Sequence, residues 1–127
     1  MSFKCIPLGG LGEVGMNCMF FQSEKTLLPV DCGVVFAHKN DFGIDAVCPD
    51  FEKFFQENKQ DCKTWIITHA HEDHLGAFAS LMKYYKKKCL APPKFLAPRM
   101  AAEILRRRAQ EGRWSVEIET IQTNHWY

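Results

Sequence analysis

The chain has 127 residues, 46% of them hydrophobic and 24% charged, with a formal net charge of +1. That length and composition suit one small globular domain with its own core, and so small a net charge singles out no partner. No run of about 18 apolar residues is present, so no membrane span is expected, and the opening MSFKCIPLGG lacks the basic-then-apolar pattern of a secretory leader.

Phe3 to Leu8 reads as a strand, Gly9 to Gly15 as a glycine-rich turn, and Asn17 to Gln22 as a second strand. Ser23 to Lys25 turns the chain into a third strand, Thr26 to Val30, ending at Asp31. Pro29 lacks a ladder donor, so this third strand is expected at an edge or a bulge. Gly33 to Pro49 reads as a long loop. Asp50 to Asn58 places Phe51, Phe54 and Phe55 on one helical stripe, with Asp50 as its cap. Thr64 to Thr68 is a short buried strand, and Leu75, Phe78, Leu81, Met82 and Tyr85 then recur at helical spacing. Cys89 to Ala91 reads as a short strand and Met100 to Ala109 as a helix opened by Pro98. Ser115 to Thr123 alternates apolar and polar, the mark of a half-buried strand. Strands first, then strand–helix alternation, predict a layered α/β fold.

The six cysteines lie 13 to 27 residues apart and none forms a Cys-x-x-Cys pair, so no zinc knuckle or redox motif is visible. Reduced thiols in a cytoplasm are the simplest reading.

The chemistry concentrates in Thr68-His69-Ala70-His71-Glu72-Asp73-His74, directly after a buried strand. In extended backbone, residues two apart face the same way, so His69 and His71 can reach one metal ion. Asp73 and His74 follow where the chain turns into the next helix, and can address a second position beside it. Imidazole and carboxylate are suitable zinc ligands. A helix-capping aspartate among solvated loop histidines is the plain alternative, but three histidines and an aspartate within six residues at a strand end weigh against it.

This His-x-His-x-Asp-His pattern resembles the signature of the metallo-β-lactamase superfamily. Ile6 to Asn17 (IPLGGLGEVGMN), Gly43 to Phe51 (GIDAVCPDF) and Thr68 to Ala77 (THAHEDHLGA), in that order, resemble the opening of the ribonuclease J family. The resemblance implies an αββα sandwich, of which residues 1–127 would be the first half, without the later β-CASP and C-terminal domains. It implies His69 and His71 as ligands of one metal ion, and Asp73 and His74 as ligands of a second. Asp31 in V-D-C-G matches the family's early aspartate, which orients the site; Asp73 and Asp31 are thus the candidate catalytic carboxylates. His125, in T-N-H after a strand, matches the family's next metal ligand, although Trp126 and Tyr127 depart from the expected continuation. The implied activity is hydrolysis of RNA phosphodiesters by a two-metal-activated hydroxide, with Zn2+ as the usual ion and Mn2+ or Mg2+ as substitutes. RNA is the implied partner, no membrane is involved, and a homo-oligomer is left open.

A thioester- or lactone-cleaving relative and a non-catalytic metal- or RNA-binding remnant are the alternatives. A rival of another class is Gly10-Leu-Gly12-Glu-Val-Gly15, which matches the dinucleotide fingerprint G-x-G-x-x-G literally. It needs a crossover helix before Asp31, and the intervening residues leave too little room. The glycines are therefore read as a tight connection between antiparallel strands. Lys83, Lys86, Lys87 and Lys88, and Arg106, Arg107 and Arg108, form two basic clusters, read as solvated helix surface. Glu72 is read as a bystander, and His38 is assigned no role.

Overall fold

The computed structural model describes residues 2–38, 42–122, 124 and 126. Thr123 and His125 lie outside them. Three strands come first, β1 (Lys4–Gly9), β2 (Cys18–Gln22) and β3 (Leu27–Val30). The small pair β4 (Val35–Phe36) and β5 (Ala46–Val47) follows, then helix α1 (Phe51–Glu57). The chain continues as β6 (Thr64–Ile66), α2 (Glu72–Leu75), α3 (Phe78–Lys87), β7 (Lys94–Pro98), α4 (Arg99–Gly112) and β8 (Ile118–Ile121). Six strands form one mixed sheet in the order β1-β2-β3-β6-β7-β8, antiparallel across the first three and parallel from β3 onward.

Alternation along the strands sorts the side chains onto two faces. Phe20, Pro29, Trp65, Phe95 and Ala97 point to one face and are fully buried there under α1, α3 and α4. Trp65 is the centre of this layer, within 5.4 Å of Phe20 and 6.0 Å of both Phe51 and Phe95 by ring centroid. Its loss to alanine would cost about 3–5 kcal/mol. Helix α1 starts where expected, because the Asp50 carboxylate accepts from the Lys53 backbone N–H at 2.9 Å. The opposite face carries Met19, Val30, Ile66 and Leu96 in one row across four strands. Among the described residues these remain half-buried.

Several expectations are corrected. Strand β3 is an inner strand, not an edge, although Pro29 pairs with Phe20 in it. Asp31 N–H donates to Ile66 O on β6, so by alternation the N–H that Pro29 lacks would also face β6. The pairing of β3 with β6 begins only at Val30, so the missing donor breaks no formed rung. The long loop contains the β4–β5 pair. Cys89 to Ala91 is not a strand: Cys89 takes φ 55° at the end of α3, and the strand comes later, at β7. The helical spacing after Thr68 is carried by two helices, α2 and α3, broken at Gly76 and Ala77.

Candidate metal centre

The site lies at the carboxyl ends of the adjacent parallel strands β3 and β6, where open α/β sheets place their ligands. Asp31 ends β3 with φ 62°, a left-handed conformation that costs a non-glycine residue energy. This turn directs its buried carboxylate across to the chain leaving β6. Oδ1 accepts from Thr68 N–H at 2.8 Å, Thr68 Oγ1 lies 2.8 Å from Oδ2, and His74 Nδ1 lies 2.7 Å from Oδ2. The strain is held in place by these bonds together with Trp65 Nε1–H donating to Asp31 O at 3.1 Å.

Backbone ladders clamp the motif. Cys32 N–H donates to His74 O at 2.7 Å and Val34 N–H to Glu72 O at 3.1 Å, while Gly33 N–H turns the other way, to Asn17 O, at 2.9 Å. Asn17 N–H in turn donates to Asp73 O at 2.9 Å. Residues 32–34 therefore run as an extended strip between the end of the glycine loop and α2. Gly33 is required there: a Cβ would stand 1.7 Å from Asp73 O.

The donors fall in two neighbouring pairs. His69 Nε2 and His71 Nδ1 are 3.2 Å apart, and His74 Nε2 and Asp73 Oδ2 are 3.4 Å apart. The rings of His69 and His74 join the pairs, with centroids 4.0 Å apart. Two nitrogens bound to one tetrahedral zinc at 2.0–2.1 Å stand about 3.3 Å apart, so each pair has ligand spacing. The tautomers agree. His74 Nδ1–H is held by Asp31, which leaves Nε2 bare, and Thr68 Oγ1 at 3.0 Å from His69 Nδ1 does the same for His69 Nε2. Among the described residues no three His, Cys, Asp or Glu side chains converge on one point, so two half-sets stand here rather than a closed cage. His125 lies outside the described residues.

Beside His71 and Asp73 opens a cleft of about 470 Å³, lined by Val14, Val35 and Phe36 as well. A larger cavity of about 550 Å³, with Phe55, Tyr84 and Tyr85 in its wall, contains none of the donors. All six cysteines are free. Burial pushes the Cys62 thiol up to about 12 and raises Cys18 and Cys32 as well, so these three stay protonated and are poor ligands.

Glu72, read as a bystander to the metal chemistry, has a structural partner: Arg108 of α4 pairs with its carboxylate and ties α4 to α2. The basic clusters are also more engaged than expected. Lys87 and Lys88 both pair with Glu52, at 3.0 and 2.9 Å, and Arg106 donates to Ile118 O at 2.9 Å. Sequence reasoning missed Thr68 and Asn17, which touch the donor residues through hydrogen bonds; the one signal was their place at the rims of the two motifs.

Residues 11–116 match the model of the metallo-beta-lactamase superfamily. The chain belongs to the metallo-β-lactamase superfamily. It is 34% identical over 122 residues to a ribonuclease J of Synechocystis sp., an alignment covering 96% of this chain and 18% of that relative. It is 44% identical over 82 residues to a ribonuclease J of Helicobacter pylori, covering 65% of this chain and 12% of that relative. The chain thus spans less than a fifth of the length of these relatives. Among solved structures, human tRNase Z, short form, superposes with a TM-score of 0.55 at 13% identity, over 91% of this chain and 43% of that one. That likeness supports the metallo-β-lactamase fold. The glycine loop joins the antiparallel strands β1 and β2 with no helix after it, which is not the strand–turn–helix setting of a dinucleotide fingerprint.

Proposed function

We propose that the chain carries the first part of the metal site of a ribonuclease J-like enzyme, a metal-dependent hydrolase acting on RNA phosphodiesters. The observation that carries this reading is the pair of adjacent half-sets, His69 with His71 and Asp73 with His74, with the two tautomers oriented through Asp31 and Thr68. Similarity to ribonucleases J supplies the substrate class.

Zinc or manganese, when bound, supplies an activated water and charge neutralisation at the phosphodiester. The residues of this chain do the rest. His69 and His71 would hold one ion, and Asp73 and His74 the second. Asp31 fixes the His74 ring and, through the Thr68 hydroxyl, the His69 ring. The cleft at His71 leaves the donors open to a large substrate.

The 127-residue chain alone is expected to bind metal weakly and to turn over no RNA. Every aspartate precedes His74, and the one histidine after it is His125. The Asp73–His74 pair therefore finds no later aspartate, and no histidine beyond His125, to close a set of three or four ligands. The test is to measure bound zinc and manganese in the wild-type chain and in His69→Ala and His71→Ala. Loss of bound ion in both variants is expected, and unchanged stoichiometry would overturn the assignment. Hydrolysis assays with 5′-monophosphorylated RNA and with a thioester separate the substrate classes. Robust RNA cleavage abolished by His71→Ala would show that a second copy of the chain supplies the missing donors.

A further inference from the structure

We propose that Asn17 is a positioning residue that clamps the Asp73–His74 donor pair at ligand spacing before an ion arrives. The proposal rests on the reading of that pair as metal donors. Asn17 closes the glycine loop immediately before β2, and its side-chain amide faces the motif. Nδ2 lies 3.1 Å from Asp73 O, 3.3 Å from Asp73 Oδ2 and 3.2 Å from His74 Nε2. All three are acceptors, given that His74 Nδ1–H is committed to Asp31. The orientation of the amide is thereby decided, since turning it over would set Oδ1 against three acceptors. The glycine loop packs behind it: a Cβ at Gly10, whose φ is 83°, would stand 2.7 Å from Asn17 Oδ1.

One N–H serves the Asp73 carbonyl. The other is shared by Oδ2 and Nε2, which stand 3.4 Å apart. A single amide therefore cross-links the two atoms that would hold one ion. His74 Nε2 and one lone pair of Asp73 Oδ2 would be given up to a cation. The amide keeps the carbonyl and a second carboxylate lone pair, so the carboxylate remains aimed. The backbone bonds of Asn17, to Asp73 O and from Gly33, do not need the side chain and persist when it is truncated.

The experiment is a Zn2+ titration of the full 127-residue chain, followed by the imidazole 15N shifts of His74 Nε2 and His71 Nδ1, with the ion-free spectrum as control for folding. Asn17→Ala is expected to weaken the His74 response by about 10- to 100-fold, leaving the His71 response at its wild-type midpoint. Asn17→Asp is expected to weaken it as well, because a carboxylate offers no donor to either acceptor. A wild-type response in Asn17→Ala overturns the proposal. So does equal weakening of both histidines, which marks a general structural role. Tighter binding in Asn17→Asp also overturns it, since the residue would then be a ligand position. If His74 in the folded wild-type chain ignores Zn2+ while His71 responds, the donor-pair reading itself falls, and the clamp with it.

Discussion

His74 Nδ1 donates to Asp31 Oδ2 at 2.7 Å, across a separation of 43 residues. A carboxylate at the end of one strand thus selects which ring nitrogen of the motif histidine is left bare. Asparagine at position 31 tolerates the left-handed backbone but cannot accept equally well from both Thr68 and His74. Asp31→Asn should therefore fold, with a stability loss of about 1.5–3 kcal/mol for the charged hydrogen bonds it weakens. The Zn2+ response of His74 should fall about 10- to 100-fold. Urea melts and imidazole 15N spectra check both, and an unaltered His74 tautomer with wild-type zinc affinity would refute the role given to Asp31.

Gly33 and Gly12 separate two reasons for glycine. Gly33→Ala drives a methyl into the Asp73 carbonyl and should cost about 3 kcal/mol or more, because backbone on both sides must move. At Gly12, φ is 73° with nothing within 4 Å, so Gly12→Ala should cost only the left-handed penalty of about 1 kcal/mol. Denaturant midpoints measure both, and the reverse order would contradict the described packing.

The G-x-G-x-x-G stretch should bind no dinucleotide. Its glycines connect antiparallel strands, and no helix N-terminus is present to receive a pyrophosphate. Calorimetric titration with NAD and FAD should show no saturable heat; micromolar binding lost in Gly12→Val would contradict this.

Stability should decline in alkali. Burial raises the Cys62 thiol from its ordinary 9.0 to about 12, and raises Cys18, Cys32 and Tyr85 too. These groups stay neutral in the folded chain and ionise more readily in the unfolded one. The stabilisation is whole below pH 9 and is lost as pH rises from there through about 12. Each thiol contributes at most about 1.4 kcal/mol per pH unit in that window. The urea midpoint should fall between pH about 7 and about 10.5, and a flat or rising midpoint would falsify the assignment.

The place of the His69–His74 motif at a strand end and the α1 cap were legible because their signals are local: a strand end, a turn, a carboxylate three residues before an N–H. Strand β7 was not, since K-F-L-A-P sits between prolines that read as loop, and only its fit beside Trp65 and Ile118 makes it a strand. Pro29 was misplaced for a similar reason. Its missing donor matters only where a partner rung exists, and that depends on where β6 begins. Asn17 and the Arg108–Glu72 pair join segments 56 and 36 residues apart, and no spacing along the chain announces such a meeting.

The strip from Cys32 to Val34 also decides when the site can exist. The donors from His69 to His74 are contiguous in sequence, yet the bonds that shape them come from residues near 17 and near 32. Closing those distances must precede any reward from the contacts they make. A synthetic peptide covering residues 64–78 would hold every donor of the two pairs and lack the geometry of both. The two strand ends must meet before the side chains from His69 to His74 take up these spacings, so on the proposed reading an ion would not seed folding here as it does in a zinc finger.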